Sequence, residues 1–265
     1  MTKYIAIANQ KGGVGKTTTA MNLGIALKLQ GKKVLLIDFD SQANLSEYLN
    51  FENEQEEKIT ISNLMLSVIT NEKIDIQECI YHDNINDIDY IPSDLNLSTV
   101  ENYLSNAMLR ETVLKRALSK NETIKNYEYV IIDCPPTLAV LLINVLGVAD
   151  YVIIPVQTHK FAWNGLNKLK DIIYQTQEML NSDLKIIGIL PTMIDNTKIS
   201  KDILQKLKDT YQNLVFDTAI NRCVEAPKST QNGISVCLTK NSKLGVSYKS
   251  LAEEVVTRIQ GVAHE

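Results

Sequence analysis

Two lysines and three glycines fall within six residues near the start of the chain, in the segment Q-K-G-G-V-G-K-T-T-T at 10–19. Glycines let a backbone adopt conformations closed to other residues, so that its N–H groups can approach phosphate oxygens. A helix starting near Lys16 adds its positive N-terminal end to the same place. Lys16 can reach phosphate oxygens, and the Thr17 hydroxyl suits Mg²⁺. The pattern predicts a site for the phosphates of a nucleoside triphosphate.

The loop departs from the common pattern G-x-x-x-x-G-K-[ST], because Gln10 stands where its first glycine belongs. It fits the form K-G-G-x-G-K-[ST]-[ST]. The alternative is a glycine-rich turn with chance lysines. An apolar, strand-like run precedes the loop at 4–8, and an amphipathic helix with Ala20, Leu23 and Leu27 on one face follows it, which favours the phosphate site.

Three aspartates stand at the ends of apolar runs. Asp38 and Asp40 are two residues apart, so on an extended segment their side chains point the same way. Asp133 precedes Pro135 and Pro136, which force an extended turn suited to a nucleotide-responsive switch. Ligands of open α/β sheets lie beyond the carboxyl ends of the strands. One carboxylate of the first pair can orient an attacking water, and Asp133 can hold Mg²⁺ through a water. A helix N-cap is the alternative role for each aspartate taken alone.

The runs that must position these residues are near-continuously apolar and alternate with helical stretches. They predict an α/β protein with a single-domain P-loop NTPase fold, a mostly parallel twisted sheet of about seven or eight strands with helices on both faces. The predicted strands are 4–8, 34–37, 88–91, 129–132, 151–156, 185–190 and 214–216. The predicted helices are 16–30, 60–69, 97–118, 163–180, 199–211 and 246–260.

Bulk composition excludes several classes of protein. Hydrophobic residues make up 45% and charged residues 22% of the 265, which is ordinary for a globular protein in water. No apolar run is long enough to cross a bilayer, and no signal-peptide pattern opens the chain, so we expect a cytoplasmic protein. Four scattered cysteines and three isolated histidines lack metal-ligand spacing, which predicts reduced, structural thiols.

The net charge of −4 is unevenly distributed. Residues 47–101 contain 13 acidic residues and two lysines, whereas residues 196–249 contain nine Lys or Arg and four acidic residues. Solvated faces explain most imbalances of this kind. The basic C-terminal third also leaves room for a nucleic-acid surface on a protein that is acidic overall.

Over nearly its whole length the chain resembles the ParA/MinD group of deviant Walker ATPases, and within it the ParA/Soj partition proteins. Three motifs are shared across the group: K-G-G-V-G-K-T-T at 11–18, D-F-D-S-Q-A-N-L-S at 38–46 and I-I-D-C-P-P-T at 131–137. The segment I-P-V-Q-T-H-K-F-A-W-N-G-L at 154–166 is typical of the partition branch, and P-T-M-I-D at 191–195 adds to the likeness. The resemblance implies an ATPase that uses ATP and Mg²⁺, forms a homodimer with ATP, and turns over slowly until a partner and DNA stimulate it.

The resemblance also implies roles. Lys11 would cross to the phosphates of the partner subunit's ATP, and Gly12 would lie where the two protomers approach. Asp40 would activate the hydrolytic water, with Asp38 close to Lys11, and Asp133 would support the metal through a water. A lysine supplied in trans neutralises transition-state charge only after dimerisation. The implied catalytic residues are Lys11, Lys16 and Asp40, the metal residues Thr17, Asp40 and Asp133, and the nucleotide-binding residues Lys11, Gly12, Gly13, Val14, Gly15, Lys16, Thr17 and Thr18.

The family resemblance further implies that the ATP-bound dimer binds nonspecific DNA through basic residues, and that a ParB-like centromere-binding partner triggers hydrolysis and release. Phosphate contacts need charge but little geometry, so composition does not select the residues. The family's Y-D-x-R-T-x-L-S segment reads I-D-N-T-K-I-S at 194–200, without its arginine, and Lys198 can stand in as a point charge. The DNA-binding candidates are Lys198, Lys201, Arg222, Lys228 and Lys243, with Lys206, Lys208 and Lys240 as further possibilities.

Three other functions compete with this interpretation. A MinD-like membrane-associated positioning ATPase needs a basic amphipathic C-terminal helix, whereas residues 250–265 carry acids and only one arginine. A redox ATPase like the nitrogenase iron protein needs two cluster-binding cysteines per subunit, and Cys134 has no partner cysteine in a matching segment. Intact Lys16, Asp40 and Asp133 argue against a non-enzymatic binding module.

The position of the phosphate loop bears on domain organisation. The loop begins about ten residues from the first methionine, which leaves no room for the helix-turn-helix domain that longer partition ATPases carry. We therefore expect one ATPase domain over 1–265, no operator-specific repression by this chain alone, no membrane partner, and a nucleoid-associated location in the cytoplasm.

Overall fold

The computed structural model describes residues 1–52, 58–119, 121–158 and 162–262. Within these ranges the chain forms a seven-stranded sheet of order β3-β4-β2-β5-β1-β6-β7, in which every neighbouring pair is parallel except β3 and β4. The strands are β1 Lys3–Ile7, β2 Val34–Asp38, β3 Tyr81–Asp83, β4 Ile88–Ile91, β5 Tyr129–Asp133, β6 Tyr151–Gln157 and β7 Lys185–Thr192.

Both faces of the sheet are buried, because successive side chains of a strand point to opposite sides. On β1, Ile5 and Ile7 join one hydrophobic core, while Ala6 joins the other. The strands β2 and β5 are buried at every position. These near-continuous apolar strands therefore need helices on both sides, as the sequence predicts.

The helices divide between the two faces. Helices α1, α2 and α10 pack on one face, and α3 to α7 pack on the other. The single-domain α/β fold with a mostly parallel seven-stranded sheet is thus confirmed. The helices are α1 Lys16–Leu29, α2 Asn44–Tyr48, α3 Ile61–Thr70, α4 Asn96–Leu104, α5 Val113–Ser119, α6 Val140–Val148, α7 Ala162–Met179, α8 Lys198–Tyr211, α9 Glu225–Asn232 and α10 Lys243–Val262.

Two predicted elements are wrong. The helix predicted over 97–118 is two helices, since α4 ends at Leu104 and Leu109 adopts a positive φ of 52° before α5 begins. A non-glycine residue in that left-handed region interrupts a helix. The strand predicted over 214–216 is only one isolated bridge, between Ile189 of β7 and Val215.

Several elements carry too weak a local signal to be predicted. Strand β3 and helix α2 are very short, and α6 is apolar on nearly all sides, so none of these three shows a clear amphipathic period. Helix α9 is short, mostly polar and contains Pro227, which weakens its helical signal. The acidic stretch 51–58, whose sequence indicates a surface loop or the start of a helix, falls partly outside the described residues, at 53–57. So do residues 159–161 of the segment typical of the partition branch.

Candidate functional site

The glycine-rich loop joins the end of β1 to the start of α1. Gly13 and Gly15 have φ values of +70° and +89°, which favour glycine over residues with a side chain. A Cβ atom built on Gly12, Gly13 or Gly15 would meet no atom within 4 Å. Nothing inside the described protomer therefore requires a glycine at position 12, where the backbone lacks a positive φ.

Side chains from distant parts of the chain hold the loop in place. Thr192, at the end of β7, donates its hydroxyl to the carbonyl of Val14 at 2.9 Å, and Val14 itself is buried. Asn9 accepts the backbone N–H of Lys11 at 2.9 Å and donates to the carbonyl of Pro155 at 2.7 Å. These bonds tie the loop to β6 and β7, so its N–H groups are preorganised.

The loop forms one wall of a cavity of about 340 Å³. Most of the predicted phosphate-binding residues meet there with Asp40. Lys11 and Val14 are the exceptions. The Lys11 ammonium group donates to Gln157 Oε1 at 3.2 Å, and neither residue lines the cavity. The lining residues are Gly12, Gly13, Gly15, Lys16, Thr17, Thr18, Asp40, Gln42, Asn44, Glu47, Pro136, Met193 and Thr230.

The predicted carboxylates come together at the carboxyl ends of β2 and β5. Asp38 and Asp133 are register partners on these strands, and both are almost fully buried. Burial raises the pKa of Asp133 well above its ordinary value, and the nearby Asp38 carboxyl raises it further, while the Thr17 hydroxyl and the Lys16 ammonium lower it. Within the described ranges, no hydrogen-bond partner reaches Asp133 Oδ1. A buried oxygen of this kind is an acceptor prepared for a ligand.

The two aspartates that follow β2 differ in what they contact. Asp38 accepts the N–H of Ser46 at 2.8 Å, the Ser46 hydroxyl at 2.7 Å and the N–H of Asp40 at 3.1 Å. Burial raises the pKa of Asp38, and these hydrogen bonds lower it only in part. Asp40 lines the cavity and accepts the N–H of Gln42 at 3.0 Å. Only Asp40 therefore faces the space where phosphates would lie, and Asp38 serves to hold the loop.

This arrangement corrects one expectation. The spacing of Asp38 and Asp40 predicted two carboxylates turned toward the triphosphate, whereas only Asp40 of the two lines the cavity. In the structure the chain leaves β2 after Asp38, and Ser46 at the start of α2 returns to saturate that carboxylate. The extended geometry on which the spacing argument depends ends with the strand.

A second cavity, of about 240 Å³, adjoins the loop on the side of Val14, Gly15 and Thr18. The sequence interpretation did not find it, because its walls come from segments far apart in the chain. The motif P-T-M at 191–193 was the one available signal, since Thr192 and Met193 lie in its wall. The other lining residues are Ile220, Asn221, Arg222, Cys223, Ala226, Pro227, Leu244 and Tyr248.

The five basic candidates are all exposed, and in the described part of the chain none forms a salt bridge. Arg222 lies beside the approach to α8, because its N–H bonds the carbonyl of Ile194 at 2.9 Å. The start of α9 meets the start of α10 through a hydrogen bond from the Ser242 hydroxyl to Glu225. Lys198 and Lys201 begin α8, Lys228 lies on α9 and Lys243 begins α10.

The C-terminal helix α10 is a core helix. Tyr248, Leu251, Val255 and Ile259 are buried against α1 and the sheet, in the helix predicted over 246–260. Across the described residues, no helix is both long and apolar enough to span a bilayer. Within the same ranges, no three His, Cys, Asp or Glu side chains converge as a metal site of their own.

Comparison with known proteins agrees with this geometry. Residues 2–186 match the model of a family described as AAA domain. The sporulation initiation inhibitor protein Soj of Bacillus subtilis is 39% identical over 258 residues, which cover 96% of this chain and 98% of that protein. The chromosome-partitioning ATPase Soj of Treponema pallidum is 35% identical over 260 residues, covering 97% and 98%. The chain belongs to the ParA/Soj family of partition ATPases.

A solved structure extends the likeness of this ParA/Soj family member to three dimensions. The cobyrinic acid a,c-diamide synthase from Mycobacterium smegmatis, with bound ADP and magnesium, superposes with a TM-score of 0.83 at 32% identity. The alignment covers 98% of this chain and 96% of that one. The same protein is also known with a bound ATP analogue and magnesium.

Proposed function

We propose that this ParA/Soj family member is a Mg²⁺-dependent ATPase that partitions DNA. In this proposal ATP binding joins two copies into a dimer, the dimer binds nonspecific DNA, and partner-stimulated hydrolysis releases it. The observation that carries the proposal is the cavity where the glycine-rich loop, Lys16 and Asp40 meet beside an unpartnered oxygen of Asp133. The relatives' names support the partition role, and the bound nucleotides of the M. smegmatis protein support the ligand.

The residues present fit Mg²⁺ and a nucleoside triphosphate. The loop has open space beside Gly12, Gly13 and Gly15, where phosphate oxygens can approach the backbone, and the helix α1 directs its positive end to the same place. Thr17 would supply a hydroxyl ligand for Mg²⁺, and Asp133 Oδ1 would supply a buried acceptor that supports the metal through a water. Mg²⁺, when bound, would neutralise charge on the phosphates.

The second cavity is a suitable binding site for the nucleobase. It shares Val14, Gly15 and Thr18 with the phosphate loop, and its remaining walls are largely apolar. A flat heterocycle gains from such walls, while a few polar groups at the rim fix its orientation. Thr192 lines this cavity and donates a hydrogen bond to Val14 of the loop, so a ligand here would contact a residue that holds the loop in place.

We assign the activation of water to Asp40 rather than to Asp38. Asp40 lines the phosphate cavity with one oxygen fixed by the N–H of Gln42, which leaves its other oxygen for a water molecule. Asp38 has both oxygens occupied by Ser46 and by the backbone of Asp40. General-base assistance requires direct reach to the proton that is removed, which Asp40 has and Asp38 lacks.

Two features support a dimer that shares its catalytic groups. The Lys11 ammonium lies outside the cavity of its own protomer, next to Gln157. Gly12 has open space where a Cβ would lie and a backbone that does not demand glycine. A second protomer approaching at Gly12 accounts for both, since a side chain there would block the approach. Lys11 would then neutralise charge on the other protomer's triphosphate.

DNA binding is tested by a salt titration with ATP, ADP or no nucleotide. Because basic side chains displace counterions from DNA, we expect binding with ATP to weaken steeply as salt rises. Fluorescence anisotropy of a labelled duplex measures it, and a second duplex of unrelated sequence is the control for nonspecific recognition. Absent binding, or equal binding in all three nucleotide conditions, would remove the partition proposal.

A further inference from the structure

The start of helix α8 is anchored by polar contacts and has little apolar packing. Among residues 198–205, all of which the structure describes, only Ser200 is buried, whereas Ile199 is 68% exposed. The same first turn carries Lys198 and Lys201, two of the basic candidates for DNA binding. An element with few buried apolar contacts opens at a low free energy, so the hydrogen bonds of Ser200 decide how the start of α8 is held.

Two buried hydroxyl groups meet at this point. Thr158 follows the end of β6, and its Oγ1 atom lies 2.7 Å from Ser200 Oγ. Ser200 also organises the approach to the helix, because its Oγ accepts the N–H of Asp195 at 3.3 Å and its own N–H donates to the hydroxyl of Thr197, the N-cap, at 3.2 Å. If either hydroxyl of the pair is removed, the other loses a hydrogen-bond partner in a buried place, which is unfavourable.

The phosphate loop is connected to Thr158 through the end of β7. The Thr192 hydroxyl donates to the carbonyl of Val14 in the loop at 2.9 Å, and the carbonyl of Thr192 accepts the N–H of Thr158 at 3.4 Å. Val14, Thr192 and Thr158 are all buried, so these hydrogen bonds lie away from bulk water. A shift of the loop carbonyl therefore acts on Thr158.

Lys11 is connected to the same residue from the first half of the loop. Its ammonium group donates to Gln157 Oε1 at 3.2 Å, and Gln157 immediately precedes Thr158. In the proposed dimer Lys11 turns to the other protomer's triphosphate, so Gln157 loses this hydrogen bond. The filling of the phosphate site and the joining of two protomers therefore both act on Thr158.

We propose that Thr158 and Ser200 are a positioning pair that couples the phosphate loop to the basic start of α8. The pair opens more often when the loop is empty, and ATP binding holds it closed, which orders α8 and presents Lys198 and Lys201 together. Neither member of the pair is among the lining residues of the two cavities, so the pair acts through other residues. The inference deepens the proposed function and rests on it, since it assigns the residues by which ATP controls DNA binding.

Substitutions at Thr158 separate its hydroxyl from its shape. Thr158→Val keeps the branched shape and removes the hydroxyl, whereas Thr158→Ser keeps the hydroxyl. Thr210→Val is the matched control, because Thr210 is exposed later in α8 and its hydroxyl bonds the carbonyl of Lys206 within the helix. We expect Thr158→Ser and Thr210→Val to behave like the wild type in both measurements below.

Hydrogen exchange of the segment 194–204, measured by mass spectrometry, follows the opening of the start of α8 and needs no DNA. We expect the non-hydrolysable ATP analogue adenylyl imidodiphosphate, with Mg²⁺, to slow this exchange about fivefold or more in the wild type. Thr158→Val should bind the analogue equally well and show little slowing. Equal exchange with and without the analogue in the wild type, or equal slowing in Thr158→Val, would overturn the inference.

Anisotropy of a labelled DNA duplex tests the consequence for DNA binding. With ATP, we expect Thr158→Val to bind DNA about fivefold more weakly than the wild type, while its basal ATP turnover is unchanged. Ser200→Ala should have a similar effect. The double variant should be no weaker than either single variant, because both changes remove the same interaction. Two effects that simply add would contradict a pair.

The two measurements distinguish this inference from the proposed function. If the analogue slows exchange in α8 only when the Thr158 hydroxyl is present, but the wild type does not bind DNA, the positioning pair is supported and the proposed DNA binding is wrong. If the wild type binds DNA only with ATP and Thr158→Val binds it equally well, the proposed DNA binding is supported and the positioning pair is wrong.

Discussion

Asp38 of β2 and Asp133 of β5 are register partners on adjacent parallel strands, yet their carboxylates are used in opposite ways. Both oxygens of Asp38 are occupied by donors from Asp40 and Ser46, whereas Oδ1 of Asp133 lacks a donor among the described residues. Burial raises the pKa of each carboxyl. One aspartate therefore stabilises the loop after β2, and the other retains an acceptor for a ligand.

The buried carboxyl of Asp133, with its unpartnered Oδ1 among the described residues, should lower the stability of the ligand-free fold and favour ligand binding. A buried acid with a raised pKa destabilises the ligand-free fold at pH 7, because the unfolded chain ionises it at its ordinary pKa of 3.8. Asp133→Asn removes that penalty, so we expect about 1–3 kcal/mol of added stability without ligand. Thermal unfolding measures this as a rise of roughly 2–4 °C per kcal/mol.

The same variant should lose most of the stabilisation that Mg²⁺ and ATP give to the wild type. Asp209→Asn, at an exposed position on α8, is the matched control and should keep both behaviours. If the ligand-free Asp133→Asn protein is less stable than the wild type, the claim that the buried carboxyl destabilises the ligand-free fold is wrong.

Asp40→Ala separates ATP binding from hydrolysis. Asp40 lines the phosphate cavity but supplies none of the loop's N–H groups, so we expect ATP affinity to change little while turnover falls about a hundredfold or more. Size-exclusion chromatography should show the variant held as a dimer with ATP. A monomer under those conditions counts against the proposed ATP-bound dimer, and Asp209→Ala controls for loss of a carboxylate elsewhere.

A mixing experiment tests whether Lys11 acts on the neighbouring subunit. Lys11→Ala and Asp40→Ala should each lack stimulated hydrolysis alone. In a mixed dimer, the site that keeps Asp40 would receive Lys11 from the other subunit, so mixing should restore part of the turnover. If Lys11 serves its own protomer, every site in the mixture lacks one group, and the mixture should stay inactive.

The last helix is held by a partly buried ion pair that should be sensitive to acid. Glu254 accepts the backbone N–H groups of Asp217 and Thr218 at 2.9 and 3.0 Å and pairs with Arg258 at 2.8 Å. Burial alone raises the pKa of Glu254, but the hydrogen bonds from these backbone groups and the Arg258 charge outweigh it, and the net pKa is lowered from 4.5.

Because the folded-state pKa is the lower one, the stabilisation is complete above pH 4.5 and is lost as pH falls through the folded-state value. Glu254→Gln should therefore unfold about 1–3 kcal/mol more easily at pH 7, with a difference that shrinks on acidification. Denaturant unfolding at several pH values measures it. Glu253→Gln, an exposed neighbour on α10, should show neither effect.

The local sequence was enough to predict the strands and the loop that form the phosphate site. Short-range signals predicted the strands β1, β2 and β5, which are apolar runs, and the loop with its glycine pattern at 12–15. Strand burial and positive φ depend on neighbouring residues. The break between α4 and α5 was missed because one left-handed residue, Leu109, interrupts an otherwise helical pattern.

The amino-acid sequence by itself therefore determined the α/β architecture, the phosphate loop and the presence of aspartates at strand ends, because each is written in residues close together in the chain. Only the tertiary structure decided that Ser46 saturates Asp38, that Asp133 keeps an unpartnered oxygen, and that Lys11 turns to Gln157. It also assembled the second cavity. These contacts join residues many positions apart, and local periodicity does not encode which distant donors and acceptors meet.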